Sequence, residues 1–521
     1  MAPGNTSRFL RFLPWGVVAA GLAFQVFLAF SPLPLLLTEL VPDDAFYYFQ
    51  IARNIVGGLG STFDGVNMTN GYHPLWMLVL LPVFAMFSVG GTADVAPVHA
   101  ALVVGALLSA ATGALLLAVM RRYTDDTRIH AFALFLWFFN PHVIYESLNG
   151  LETPLSLFLL AALLLSLVRW REAQTPSRLA ALGIIGGLAM LARLDNALYI
   201  AAALAWILWR DRTAHGLRHA LVAGFAAALV VAPWFMWNAL TLGMFFTSAS
   251  VTATVVNHAL VYQDNGAGLF QTLKAAVYTT DHALRATLAQ TGAPAAFLLL
   301  AGAALWQWLA DRRERSSKDT PAEGAFAFGF ALVFMANAAI RWTMRSWYFI
   351  AVAFAPPLLA AWFLARMSRR ARVPSLVLVA AALVIAGVFF VNWERDLHQR
   401  QRAQAEMYAA AQWLNDNAPD GTVIGVFNAG VQGYFSRHRV INLDGLVNNA
   451  ASAAIVDGRL WEYIADSGVG YISDFPTYMT YRYHSFFGES DVLSHLFEIH
   501  RVSLGAHARG DDGIHIYRLI R

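Results

Sequence analysis

Apolar runs of near-uniform length fill the chain up to about Trp393 and then stop. Most runs approach or exceed the roughly 20 residues that carry a helix across the hydrocarbon core of a bilayer, while 130–146 and 196–209 are short, as a buried bundle helix can be. Helical spans fit residues 12–37, 98–120, 130–146, 153–169, 178–194, 196–209, 219–239, 293–310, 324–342, 347–366 and 374–392, about eleven in all. The first, Phe12 to Leu37, is too long for a signal-peptide core and lacks a small-residue cleavage site, so it reads as a retained span. Two further stretches carry helical pattern without span length. Ala45 to Val56 alternates Phe46, Phe49 and Ile51 with polar groups, and Pro74 to Val89 begins with a proline suited to a first helical turn. Both are expected to lie on the membrane surface.

Beyond Trp393 charged residues, Asn, Gly and Asp become frequent. A helix over Glu394 to Asn417 ends at the turn signal Pro419-Asp420-Gly421. Short strands are expected at Thr422 to Phe427, Val440 to Leu443, Val469 to Ser473 and His515 to Leu519. The fold class is therefore a polytopic all-α membrane bundle over residues 1–392, with external juxtamembrane helices, followed by a small α/β soluble domain over 393–521.

Composition agrees. Of 521 residues, 58% are hydrophobic and 13% charged, far from the balance of a soluble globular protein. The net charge of +3 is explained by topology, not by a nucleic-acid partner, because arginines concentrate in short loops: Arg121-Arg122, Arg169 to Arg171, Arg210 to Arg218, Arg312 to Arg315 and Arg366 to Arg372. With Arg8 and Arg11 ahead of the first span, the positive-inside rule puts the N-terminus and these loops in the cytoplasm. Counting Pro74 to Val89 as a span would invert every later loop, and an odd number of spans places the C-terminal domain outside. There is no cysteine, so thiolate chemistry and disulfides are excluded.

Ionisable residues that escape the cytoplasmic loops gather on the external side, and such groups in a membrane protein mark function. Asp43-Asp44 follows Pro42 directly after the first span; the pair suits deprotonation of a hydroxyl or binding of a divalent cation (Mg, Mn or Ca), or one Asp simply caps the following helix. Glu152 in Asn149-Gly150-Leu151-Glu152-Thr153-Pro154 is a further carboxylate, a candidate metal ligand with Asp44, or a solvated loop acid. Arg193 and Asp195 form a local ion pair, or Arg193 faces a cavity where a guanidinium suits phosphate. Arg341 and Arg345, among Trp342, Trp347 and Tyr348, suit a lipid-linked phosphate, or belong to an aromatic belt with snorkelling arginines. Tyr72, His73 and Trp76 offer a hydrogen-bonding ring and stacking faces to a sugar. Asp444 and Gly445 read as a turn after a strand.

Asp43-Asp44-Ala45-Phe46-Tyr47-Tyr48, followed by Thr69-Asn70-Gly71-Tyr72-His73-Pro74-Leu75-Trp76, resembles the GT-C superfamily of integral membrane glycosyltransferases. Within it the chain is similar to the bacterial branch of protein O-mannosyltransferases, lipid A aminoarabinose transferases and mycobacterial arabinofuranosyltransferases. Gly150-Leu151-Glu152-Thr153-Pro154 resembles a Gly-Met-Glu-Thr-Pro element of the last group, and Arg193-Leu194-Asp195 an Arg-Pro-Asp element with Leu194 in place of Pro. Val423 to Asn448 resembles the family's external domain. The resemblance implies a polyprenyl-phosphate-linked sugar donor, a glycan, lipid or protein acceptor, and inversion at the anomeric carbon. It further implies an acid at Asp43 or Asp44 as base or metal ligand, Asp195 near the sugar or acceptor, and residence in a bacterial inner membrane. The rival expectation is a transporter or lipid-handling protein with an external polar cavity, which would show paired repeats and broken helices near the midplane; no repeat is visible.

Overall fold

The computed structural model describes residues 4–87, 95–265, 269–310, 322–340, 345–370, 373–398, 400–488, 492–505 and 512–520. Arg341 lies outside the described residues.

Every apolar run becomes a helix. Among the described residues six helices have the length and composition to cross a membrane: Arg11–Ala29, Ala96–Met120, Thr153–Glu172, Ala214–Leu242, Ile350–Arg369 and Ser375–Leu397. Shorter apolar helices run over Pro74–Met86, Thr127–Phe138, Pro176–Ala192 and Ala322–Ala338, and Ala276–Gln290 with Pro294–Leu309 forms a pair bent by 89° at Thr291-Gly292-Ala293. Two expectations shift. The first span ends at Ala29 because Pro32 and Pro34 interrupt it, and the chain continues through a wide π-helical turn, Leu36–Leu40. The stretch expected over 130–146 is two helices, Thr127–Phe138 and Pro141–Ser147, the second capped by the Asn140 side chain. The sequence pattern also missed two helices too polar to read as spans, Ser248–Asn265 and Leu269–Gln290.

Small residues let the spans approach. A Cβ added to Gly183 or Gly187 on the Pro176–Ala192 helix would fall 2.4 Å from the Ala223 carbonyl oxygen and 2.7 Å from that of Ala227 on the Ala214–Leu242 helix. Close helix contact through Gly and Ala is the usual packing where lipid offers no hydrophobic drive.

The soluble domain follows a helix over Ala403–Asn417. Its strands are β1 (Val423–Val426), β2 (Arg439–Asn442), β3 (Tyr471–Asp474), β4 (Leu496–Val502) and β5 (Ile514–Leu519), in the order β2-β1-β3-β5-β4. The β2-β1-β3 half is parallel and the β3-β5-β4 half antiparallel. β4 escaped the sequence pattern because its side chains are largely exposed, as befits an edge strand.

The carboxyl ends of the three parallel strands face the membrane region through the Asp43–Val56 helix. That helix starts after Pro42, carries Asp43 and Asp44 in its first turn where the helix dipole favours acids, and ends at Gly57, with Gly58 at φ +82°. It is buried on nearly every side, between the Pro74–Met86 helix and the Ala429–Phe435 helix that follows β1. Phe46 packs on Tyr434 and Phe435, Phe49 on Phe84, and Arg53 donates to the Tyr434 carbonyl while lying over its ring. A second seam joins Asn70 to Asn238 and to the Ser248 amide, and Ser248 to the Leu446 carbonyl.

At this seam the backbones touch: a Cβ on Gly430 would sit 2.0 Å from the Asp43 carbonyl oxygen. Gly430→Ala is therefore expected to destabilise the docked domain by about 1–3 kcal/mol, as overpacking does. Thermal unfolding of the detergent-solubilised protein should show a lowered midpoint, whereas Gly302→Ala, which meets open space, should not.

Candidate functional site

A cavity of about 600 Å³ lies at the junction of the membrane helices and the soluble domain. Asp44, Tyr47 and Tyr48 of the Asp43–Val56 helix line it, with Tyr72 and His73 from the following loop and Glu152 from the loop before the Thr153–Glu172 helix. Arg193, Asp195, Arg345 and Tyr348 close the membrane side; Met190, Phe235, Phe246 and Ala336 make an apolar flank; Leu446, Val447, Arg482 and Tyr483 come from the soluble domain. Residues separated by hundreds of positions thus share one chamber.

Asp43 and Asp44 part company. Asp44 lines the cavity, and Asp43 is not among the lining residues. Asp43 is 8% exposed and its carboxylate accepts the amide protons of Gly430, at 3.1 Å, and Val431, at 2.6 Å, in the first turn of the Ala429–Phe435 helix. Neither Asp is the N-cap of its own helix; that position is Pro42. Asp43 instead joins the soluble domain to the membrane domain, and the role of base expected of it has no chamber to act in.

Glu152, 4% exposed, is held on both oxygens. Tyr48 Oη donates to Oε2 at 3.0 Å and Arg193 Nη1 to Oε1 at 2.8 Å, while His73 Nε2 lies 3.6 Å from Oε1. Arg193, 5% exposed, also donates from Nε and Nη2 to the two oxygens of Asp195, at 3.1 and 2.9 Å, and stacks over Tyr348. Both sequence alternatives hold for Arg193: it pairs with Asp195 and faces the cavity. Its charge is met by two carboxylates, so it is spoken for before any anion arrives. Burial lowers the His73 pKa below the usual histidine value, which favours the neutral ring.

Trp76 is fully buried, and its Nε1 donates to the Gly150 carbonyl at 3.0 Å. It fixes the loop that carries Glu152 and is not among the cavity lining, so the sugar-stacking expectation falls to Tyr72 alone. Tyr72 hydrogen-bonds Ser61 and packs on Trp234.

A metal finds no ready ligand set. Among the described residues no group of three or more His, Asp and Glu is placed to hold an ion. Glu152 spends its oxygens on Tyr48 and Arg193. A metal shared by Asp44 and Glu152 would have to displace these donors.

Further polar residues come from the soluble domain, of which the sequence pattern named only Asp444, as a turn. Arg482 lies over the Tyr478 and Tyr483 rings, in the run Tyr478-Met479-Thr480-Tyr481-Arg482-Tyr483 whose density of Tyr is the one available signal. Asp444 accepts from Tyr47 Oη and the Leu446 amide, and Asp474 from the amides of Phe427 and Asn428, both carboxyls lying just beyond or at the ends of parallel strands.

Burial pushes the carboxyls of Asp43, Asp444 and Asp474 up to about 7 against the opposing pull of their backbone donors. The folded chain therefore keeps these protons at pH values where the unfolded chain, with carboxyls near 4, has released them. Stability is highest near or below pH 4 on this account and is lost as pH rises through about 7. The thermal unfolding midpoint is expected to fall between pH 5 and pH 8, and Asp43→Asn or Asp474→Asn to flatten that slope.

A family model described as dolichyl-phosphate-mannose-protein mannosyltransferase matches residues 76–237, and residues 394–517 match a domain of unknown function, DUF8728. The fold is similar to that of ArnT from Cupriavidus metallidurans bound to undecaprenyl phosphate, with a TM-score of 0.61 at 16% identity over 96% of this chain and 97% of that one. It is likewise similar to the apo state of ArnT from the same organism, with a TM-score of 0.57 at 13% identity and the same coverage. No curated protein matches the chain in sequence. With the family match confined to residues 76–237 and this architecture along its length, the chain shares the fold of ArnT.

Proposed function

We propose that the chain moves a sugar from a polyprenyl-phosphate donor to an acceptor hydroxyl at the outer face of the membrane, with inversion. The observation that carries this reading is the chamber itself: a cavity-lining carboxylate, Asp44, shares about 600 Å³ with arginines and an apolar flank open to lipid-soluble substituents. One of the similar structures, ArnT, holds undecaprenyl phosphate, which supports the same class of donor here.

In this mechanism the donor lipid lies along Met190, Phe235, Phe246 and Ala336, and its phosphate meets Arg345. Asp44 takes the proton of the acceptor hydroxyl. The oxygen attacks the anomeric carbon, the bond from that carbon to the phosphate oxygen breaks, and the electron pair leaves with polyprenyl phosphate. The charge growing on that phosphate is met by fixed guanidinium groups, which cost no reorganisation at the moment of reaction. Glu152, Arg193, Asp195 and Tyr48 hold one another in place and so serve as a preorganised wall that positions His73 and Tyr348 around the sugar. The Arg-rich loops lie at the opposite helix ends, where Arg122 meets Glu172 and Arg128 meets Ser375; that polarity supports an external chamber.

Membranes supplied with labelled lipid-linked sugar test the assignment. Asp44→Asn is expected to lower transfer by about 10²–10⁴-fold, the usual contribution of a general base, and Asp43→Asn to cause a much smaller loss. Wild-type transfer by Asp44→Asn would remove the base from the mechanism. The orientation has its own check: alkaline phosphatase fused after Ile520 should be active, and fused after Arg212 inactive.

A further inference from the structure

Arg193, Arg345 and Arg482 all border the chamber, but only Arg193 is ion-paired. Among the described residues no carboxylate lies within ion-pair distance of Arg345 or Arg482. Arg482 is held by π contacts, its guanidinium carbon 5.8 Å from the Tyr478 ring centre and 5.9 Å from that of Tyr483. Its Nε is buried and has no hydrogen-bond partner. Arg482 is only partly exposed, and a buried donor left unmet is costly to keep. The aromatic faces and a hydrogen bond to the Tyr483 hydroxyl fix its plane and leave Nε unmet. Arg345, from the membrane domain, feels the Asp44 carboxylate more strongly than it feels Arg482, but it is close enough for the two cations to repel one another, and both border the same cavity. A shared phosphate would answer both charges, singly charged as the donor diester and doubly charged as the released polyprenyl phosphate.

We propose that Arg482 is an anion-binding residue supplied by the soluble domain, which with Arg345 grips a phosphate group in the chamber. The soluble domain then completes the substrate site, and docking through Asp43 becomes a condition for binding. This rests on the glycosyltransferase reading for the phosphate's source, the lipid donor, but not for its chemistry: a phosphate on the acceptor would meet the same pair.

The test uses the full-length protein in nanodiscs with two probes, undecaprenyl phosphate and inorganic pyrophosphate. Arg482→Ala is expected to weaken undecaprenyl phosphate binding by about 10- to 100-fold, the range for a lost charge-assisted pair of hydrogen bonds, while Arg482→Lys restores part of it. Arg459→Ala, an exposed arginine of the same domain, should bind as wild type. Should Arg482→Ala fail to fold, wild-type protein still decides: undecaprenyl phosphate should protect Arg482 from phenylglyoxal, read by mass spectrometry. Undecaprenyl phosphate bound equally by wild type and Arg482→Ala, or no protection, overturns the inference and leaves the glycosyltransferase reading standing. Pyrophosphate binding that depends on Arg482, without any binding of undecaprenyl phosphate, supports the phosphate site and removes the lipid donor. Failure of wild type to bind either probe overturns both.

Discussion

The structure depends on one carboxylate. Asp43 reaches from the first turn of its own helix to the amides of Gly430 and Val431 in the first turn of another, so an acid of the membrane domain satisfies donors that would otherwise be orphaned at a helix start of the soluble domain. Around this bond the Phe46, Phe49, Tyr434 and Phe435 rings close a dry seam, in which an unmet amide or carboxylate would be expensive. The soluble domain is thereby a wall of the chamber, because the strand ends that carry Leu446 and Val447 arrive with it. Its parallel strands present their carboxyl ends to the cavity, the edge of an α/β sheet where ligands commonly bind.

The arginines show how residue type alone leaves function open. Arg193 is locked between Asp195 and Glu152, and Glu152 in turn between Arg193 and Tyr48. A network whose members are all satisfied is rigid and holds its geometry without a ligand. Arg345 and Arg482 keep their charge available. One chamber therefore contains both an ion-paired arginine and arginines held over aromatic rings, and the difference lies in which carboxylates are within reach.

The same distinction separates Trp76 from Tyr72. Both stand in one short motif at the start of the Pro74–Met86 helix, yet Trp76 turns into the core to hold the Gly150 carbonyl and Tyr72 faces the cavity. A motif names its residues together, while the direction of each side chain follows from the backbone that carries it.

Much of this protein was legible in its amino-acid order. Apolar run length set the helices of the membrane region, because a bilayer demands about 20 residues per crossing whatever the fold. The shift in composition after Trp393 announced the soluble domain, and β-branched runs between turns placed four of its five strands. Asp44, Glu152, Arg193, Arg345 and His73 stood out as polar groups beside apolar ones, and they meet in one cavity. What tertiary structure alone decided was which of two adjacent aspartates faces that cavity, and that Arg482 joins it. The reason is geometric: successive side chains on a helix point about 100° apart, so Asp43 and Asp44 serve different neighbours, and those neighbours come from a domain nearly 400 residues further along the chain, beyond the reach of any local pattern.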